Sequence, residues 1–206
     1  MARRPGLDRA VIAREAALLA DSCGFHALSL AELAGRLGVR PPSLYNHVAN
    51  LAAIERDLAV LGVRELGARL ARAAVGKAGD DAVYALAQAY RTFVHERPGL
   101  YAATERAPAP DDEEWRMAGA EVVAIVQATL DGYGLRGDDA IHALRALRSF
   151  IHGFATLEQG GGFGIPLDLD ESFRRLLAIY VAGVRATSGQ ATTQGQELGD
   201  DRALVR

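Results

Sequence analysis

The chain has 206 residues, half of them hydrophobic and few of them aromatic, with a net charge of −3 and one cysteine, Cys23. A single cysteine excludes a disulfide framework, uncharged apolar runs such as Val122–Leu130 are too short to span a bilayer, and Arg3-Arg4 leads into Pro5-Gly6 rather than a signal-peptide core, so a cytoplasmic protein with no membrane partner is expected. Residues 1–50 carry six Arg against four acids while the remainder is acidic, a bias that permits nucleic-acid contact at the N-terminal end without requiring it.

Abundant Ala and Leu favour helix, and neither a convincing strand nor an internal repeat stands out. Residues 1–7 read as a basic, disordered arm. From Asp8, the apolar series Ile12, Ala16, Leu19 and Cys23 repeats at helical spacing; it makes Cys23 a small core residue, with Gly24 at the helix end. Ser29-Leu-Ala-Glu32 is a capping box opening a short helix whose buried face is Leu30, Leu33, Ala34 and Leu37. Gly38-Val-Arg40 breaks it. Pro41-Pro42 starts a third helix, from Ser43 to about Val48, and Asn50 caps a long fourth helix towards Val75. Asp80 is placed to cap a fifth, ending before Pro98-Gly99, and residues 98–107 read as a bent connector. Asp111 with Glu114 begins another helix, ended by Gly132 and Gly134. One from about Asp138 to Gln159 follows. After the glycine-rich loop Gly160–Gly164, the last helix begins near Asp170 with a stripe of Phe173, Leu176, Leu177, Tyr180, Val181 and Val184. From Ser188 the chain is polar and patternless and reads as a disordered tail over 188–206.

The informative segment is Leu28–Val48, LSLAELAGRLGVRPPSLYNHV: two short helices joined by a tight Gly-containing turn. The second is too short and too polar outside to be core alone. Such a helix enters the major groove while the first lies across the backbone. Ser43, Tyr45, Asn46 and His47 offer hydrogen-bonding groups to phosphates or bases, and Arg40 adds charge at the turn.

From Asp8 to about Leu58 the chain resembles the DNA-binding domain of the TetR family of bacterial repressors. The matching elements are Cys23-Gly24-Phe25, Leu28-Ser29-Leu30, Glu32-Leu33-Ala34, Leu37-Gly38-Val39 and Pro42-Ser43-Leu44-Tyr45-Asn46-His47-Val48, in order and spacing. The resemblance implies an all-α protein: a three-helix DNA-binding head with a helix-turn-helix (8–55), then a helical-bundle ligand-binding and dimerisation domain (56–187). It matches Tyr45 to a phosphate-contacting tyrosine, His47 to an aromatic or histidine position, and Ser43 to a base or phosphate contact. Leu51 stands where a phosphate-gripping Lys is common and Ala31 where an Arg often reads a base, which shifts phosphate contact towards Arg3, Arg4 and Arg40. Phe150-Ile-His152-Gly153 resembles the aromatic–His-Gly (WHG-like) subclass of the family's C-terminal domains.

Function is therefore expected to be a ligand-responsive DNA-binding regulator, a repressor released from a palindromic operator by a small, mostly apolar molecule, and not an enzyme. Bulky side chains of the body are the candidate pocket: Tyr90, Phe93, Tyr101, Trp115, Met117, Phe150 and Phe154, with Gln127 or His152 as polar anchors. Each aromatic taken alone also reads as ordinary core, and His152 equally as a satisfied core histidine. The last two long helices are expected to form a homodimeric four-helix bundle through Leu144, Leu147, Ile151, Phe173, Leu177, Tyr180, Val181 and Val184, with the two heads roughly 34–36 Å apart or a multiple of it. No histidine or cysteine has metal-ligand spacing, and the Gly160–Gly164 loop follows a helix rather than the strand a phosphate loop needs, so neither metal nor cofactor is expected. An enzyme on a helical bundle and a dimeric scaffold with a vestigial head are the competing readings; no paired catalytic constellation supports the first.

Overall fold

The computed structural model describes the backbone of residues 7–200 and the side chains of residues 7–187. The expected arm, with Arg3 and Arg4, lies outside the described residues apart from Leu7, as does the end of the tail beyond Asp200. The described residues form helices α1 (Arg9–Cys23), α2 (Leu30–Leu37), α3 (Pro41–Leu44), α4 (Leu51–Ala74), α5 (Gly79–Glu96), α6 (Pro98–Ala103), α7 (Glu113–Leu130), α8 (Gly137–Gln159) and α9 (Leu169–Asp200), with single 3₁₀ turns at Phe25–Ala27 and Asp131–Tyr133 and no strand among them. None of these helices is long and apolar enough to cross a membrane. They divide into two compact units: residues up to 69 together with 92–122, and residues 70–91 together with those from 123 onward.

In the first unit, Asp8 caps α1 by accepting the Val11 N–H at 2.7 Å, and Ile12, Ala16, Ala17, Leu19 and Ala20 are buried. α1 packs on α2 and α2 on α3, and Leu33, Ala34, Leu44 and Val48 are buried as well, giving the head its small core. Cys23 is exposed rather than core, because the chain turns away at Gly24 (φ 92°) and Phe25 takes the buried place. Asn50 caps α4 as its sequence indicates, accepting the Ala53 N–H at 2.9 Å. Residues 98–107 are not a mere connector. Pro98–Ala103 is a helix, α6, seated on α1, with Leu100, Tyr101 and Ala103 buried. Asp112 caps α7 through the Trp115 N–H (3.1 Å) and takes both arms of Arg56 of α4 (2.8 and 2.6 Å). That guanidinium holds the Asp112 carboxyl down to about 2.

In the second unit, α8 packs on α9. The apolar stripe of α9 faces this unit's own core: Phe173, Leu177, Tyr180, Val181 and Val184 are buried, as are Leu147, Ile151 and Phe154 of α8. Asp80 is not an N-cap. Its carboxylate accepts the Tyr133 hydroxyl (2.7 Å) and pairs with Arg185 (2.7 Å), tying the start of α5 to the 3₁₀ turn and to α9, while Gly79 already lies in the helix. Arg91 is buried beneath Phe154 and Phe173, its guanidinium 5.4 and 4.9 Å from their ring centres. It donates to Glu158 at the end of α8 and to Asp170 at the start of α9 (2.7 Å), so one cation holds the base of the α8–α9 hairpin. Helical backbone continues past Ser188 to Asp200 instead of ending in a patternless tail. Gln, Ala and Glu are good helix formers, and a helix already nucleated propagates through them.

Candidate nucleic-acid interface

The interface is built by a turn whose ends are anchored inside the head. Ser29 caps α2, accepting the Glu32 N–H at 3.2 Å. Gly38 ends α2 in the left-handed region (φ 68°), where an L side chain is strained, and its neighbour Val39 donates to the Ala34 carbonyl at 3.0 Å. Arg40 is extended, as a residue before proline must be, and Pro41 and Pro42 open α3 without needing N–H partners. The Arg40 carbonyl accepts the Ser43 N–H at 2.8 Å.

Leu44 is fully buried and Val48 nearly so. The N–H groups of His47 and Val48 both reach the Leu44 carbonyl, at 2.9 and 3.0 Å. Between these anchors Tyr45, Asn46 and His47 project outward, and Tyr45 is 57% exposed. The expected helix to Val48 stops at Leu44, so Tyr45–His47 lie on a turn. Two prolines and the poor helix formers Asn46 and His47 leave little to propagate, and Asn50 restarts the chain as α4.

Ion pairing separates the cations of the head. Arg9 is engaged by Asp57 and Arg36 by Glu15. Arg40 is exposed and has no ion pair among the described residues. Arg14 on α1 is likewise exposed and has none, a candidate the sequence reading missed; the signal is the absence of any acid three or four residues away. Pro42 is exposed and Ser43 half-buried. Ala31 is exposed on the first turn of α2, and Leu51 is half-buried at the start of α4.

The nine candidate pocket residues divide between the two units. In the first, Phe93 and Tyr101 are buried edge-to-face (6.3 Å), Trp115 is half-buried and Met117 is 59% exposed. In the second, Tyr90 and Phe154 are buried, Gln127 and His152 half-buried, and Phe150 is exposed edge-on to Tyr180 (6.1 Å). The candidate dimer residues need correction. Leu147, Ile151, Phe173, Leu177, Tyr180, Val181 and Val184 are buried within one chain, and only Leu144 is half-exposed, because α8 and α9 turn these faces towards their own core. What they leave outward is a second stripe: Ala146, Phe150, Gly153 and Leu157 on α8, and Ala178, Ile179, Ala182, Gly183 and Ala186 on α9.

Residues 83–180 match the model of a family described as tetracyclin repressor-like, C-terminal domain. Over 92% of its length the chain is 36% identical to the uncharacterized HTH-type transcriptional regulator Rv0681 of Mycobacterium tuberculosis, covering 88% of that protein. It is 36% identical to the HTH-type regulator YobS of Bacillus subtilis over 89% of this chain and 96% of that one. Among solved structures, a protein of unknown function from Rhodococcus sp. RHA1 superposes with a TM-score of 0.72 (26% identity; 87% of this chain, 96% of that one). A TetR variant from Acinetobacter baumannii AYE, crystallised with minocycline, superposes at 0.68 (21% identity; 88% and 98%).

Proposed function

The chain belongs to the TetR family of helix-turn-helix transcriptional regulators, and on that premise we propose that it is a cytoplasmic homodimeric repressor released from a palindromic operator by a small, mostly apolar molecule. One observation carries the reading: buried Leu44 and Val48 hold Tyr45, Asn46 and His47 outward on the turn that follows Arg40, a cation exposed and without an ion pair among the described residues. Tyr45 and Arg40 contact phosphates, which fixes register; Asn46, His47 and Ser43 meet base edges, with Pro42 against the sugar–phosphate wall. Arg3 and Arg4 add counterion-releasing charge, and exposed Arg14 joins them.

The dimer forms through the outward stripe of α8 and α9. Phe150, Leu157 and Ile179 supply the apolar contacts, and the small residues Gly153, Ala178, Ala182 and Gly183 permit close approach. An exposed apolar face on both helices of one hairpin is more than a monomer's surface needs. The run Phe150-Ile-His152-Gly153 on α8 supports reading the body as one of the family's aromatic–His-Gly subclass. The effector binds in the body, and the minocycline complex of a protein of related fold supports a small-molecule site there. It acts by preferring the DNA-free arrangement, so DNA weakens its binding by the same factor.

The test is a mobility shift of a duplex from the gene's own upstream region, titrated with salt. A regulator gives a shifted band whose log affinity falls linearly with log salt concentration. No shift even at low salt overturns the reading.

A further inference from the structure

We propose that Arg91, Phe154 and Phe173 form the site for an aromatic carboxylate, whose anion and ring take the places that the chain's own Asp170 and Phe163 occupy. This names the chemical class of the effector and rests on the small-molecule regulation proposed above. All five residues belong to the second unit.

The Arg91 side chain is only 7% exposed, and its guanidinium lies 5.4 Å from the ring centre of Phe154 and 4.9 Å from that of Phe173. Its two carboxylate partners differ. Glu158, itself 14% exposed, accepts from Nε at 2.7 Å and also from Nη2, which fills one edge of the fork. Asp170 accepts only from Nη1, at 2.7 Å, through one oxygen, and its side chain is 85% exposed. An acid so open to water loses little on letting go, because solvent replaces the bond. Its departure frees both N–H groups of Nη1 beside the second N–H of Nη2, a pair of donors that suits a planar carboxylate.

The neighbouring ring is held as loosely. Phe163 packs on Phe154 with ring centres 4.9 Å apart, yet is 37% exposed. Gly160, Gly161 and Gly162 are tied to the end of α8, their N–H groups donating to the carbonyls of Thr156, Glu158 and Leu157. Beyond them, Phe163, Gly164 and Ile165 donate no backbone hydrogen bond among the described residues, and Ile165 and Leu167 stand 74% and 69% exposed. A segment with so few buried contacts opens at small cost, and glycine on either side of Phe163 gives the backbone freedom to swing. The ring that Phe163 would bare, Phe154, is one that also touches Arg91. Phe154 therefore joins a place for a ring to a place for a carboxylate. An aromatic acid meets both: its ring packs on Phe154 and its anion pairs with Arg91. A neutral aromatic lacks the second contact, and an aliphatic acid such as acetate lacks the first.

Isothermal titration calorimetry of the full chain with benzoate and with 1-naphthoate tests the site without DNA; benzamide and acetate are the control ligands. Wild type is expected to bind at least one aromatic acid and neither control. Asp170→Ala removes the internal competitor and is expected to bind that acid about fivefold more tightly, the upper end of what an exposed ion pair is worth. Asp139→Ala, an equal loss of charge near the opposite end of α8, is expected to leave the affinity unchanged. Phe163→Ala is expected to tighten binding as well. Arg91→Lys keeps the charge but not the fork and is expected to weaken binding about tenfold, the scale of one charge-assisted hydrogen bond. No binding of either acid, no gain in Asp170→Ala, or wild-type affinity in Arg91→Lys overturns the site and leaves the regulator reading standing. Weaker binding by Phe163→Ala also overturns it, since Phe163 would then line the site rather than yield its place. The titration is repeated with the duplex that the protein shifts: weaker binding of the acid is expected, and equal affinity overturns its assignment as effector. A wild type that binds the acid but shifts no duplex overturns the regulator reading and leaves the site.

Discussion

Gly99→Ala adds one methyl group where α6 meets α1. The new Cβ lies 2.1 Å from Ala20 C and O and 2.5 Å from the Asp21 nitrogen, and all three are backbone atoms that cannot rotate away. Restoring ordinary contact near 3.4 Å requires α6 to retreat by about 1.3 Å. That retreat stretches the Leu100–Asp21 hydrogen bond of 2.9 Å and the Arg97–Asp21 bond of 2.6 Å beyond bonding range. Overpacking costs about 1–3 kcal/mol, and bonds to a charged group are worth about 1.5–3 kcal/mol each, less here because Asp21 is only half-buried and water replaces part of them. The better helix propensity of Ala returns at most about 1 kcal/mol. The net is a destabilisation of roughly 2–4 kcal/mol, a fall in Tm of roughly 5–15 °C for a chain this size. Gly119→Ala in α7 is the control: it is a helical glycine whose Cβ would meet nothing within 4 Å. There propensity acts alone, and Tm is expected to rise by roughly 1–4 °C. Calorimetry at one fixed protein concentration measures both, since a dimer's Tm depends on concentration. If Gly99→Ala is neutral or stabilising like Gly119→Ala, the close seating of α6 on α1 is wrong.

Other substitutions probe the remaining elements. Tyr45→Ala is expected to weaken binding to specific and random duplexes alike, by about tenfold or more in an anisotropy titration; loss confined to the specific duplex would make Tyr45 a base reader. Arg91→Met removes the cation beneath Phe154 and Phe173 and leaves Glu158 without its guanidinium, for a loss of about 3–5 kcal/mol in denaturant unfolding; a change below 1 kcal/mol would show that the hairpin base does not depend on it. The Asp112 carboxyl, held down to about 2 from its ordinary 3.8, stabilises above the ordinary value and ceases to as pH falls through the depressed one. Acid unfolding between about pH 4 and 2, followed by circular dichroism, should therefore flatten in Asp112→Asn, and an unchanged acid limb refutes the Arg56–Asp112 link. Ile179→Arg places charge on the outward stripe of α9 and should give a monomer by light scattering at micromolar concentration where wild type is a dimer; a persistent dimer locates the interface elsewhere.

The local chemistry of the head was legible because it is short-range. The Ser29 and Asn50 caps, the left-handed Gly38 and the Pro41-Pro42 start each depend on a few neighbours, and each stands where the sequence indicates. The stripe Phe173–Val184, expected to be a dimer face, is buried within the chain except at Leu176, which is half-buried. Periodicity says that a helix face leaves water but not what covers it, and here the covering is the chain's own core. The exposed stripe of Phe150, Leu157 and Ile179 is masked by interspersed Ala and Gly, which carry little hydrophobic signal. α6 was hidden for another reason. Pro98-Gly99 is the signature of a turn, and the carboxylate that caps the helix comes from Asp21, beyond any sequence window. Asp80 shows the converse: an acid at a helix start that serves Tyr133 and Arg185 instead of the backbone.

The turn from Pro41 to His47 is the proposed DNA-reading surface. The most direct measurement is selection from a randomised duplex library by the wild-type dimer, with Tyr45→Ala and His47→Ala carried through the same rounds. The expected result is a two-fold symmetric site enriched by wild type, retained with uniformly lower affinity by Tyr45→Ala, and altered at one base position of each half-site by His47→Ala. Enrichment of no sequence by the wild type, or the same site with the same affinity for all three proteins, would contradict it.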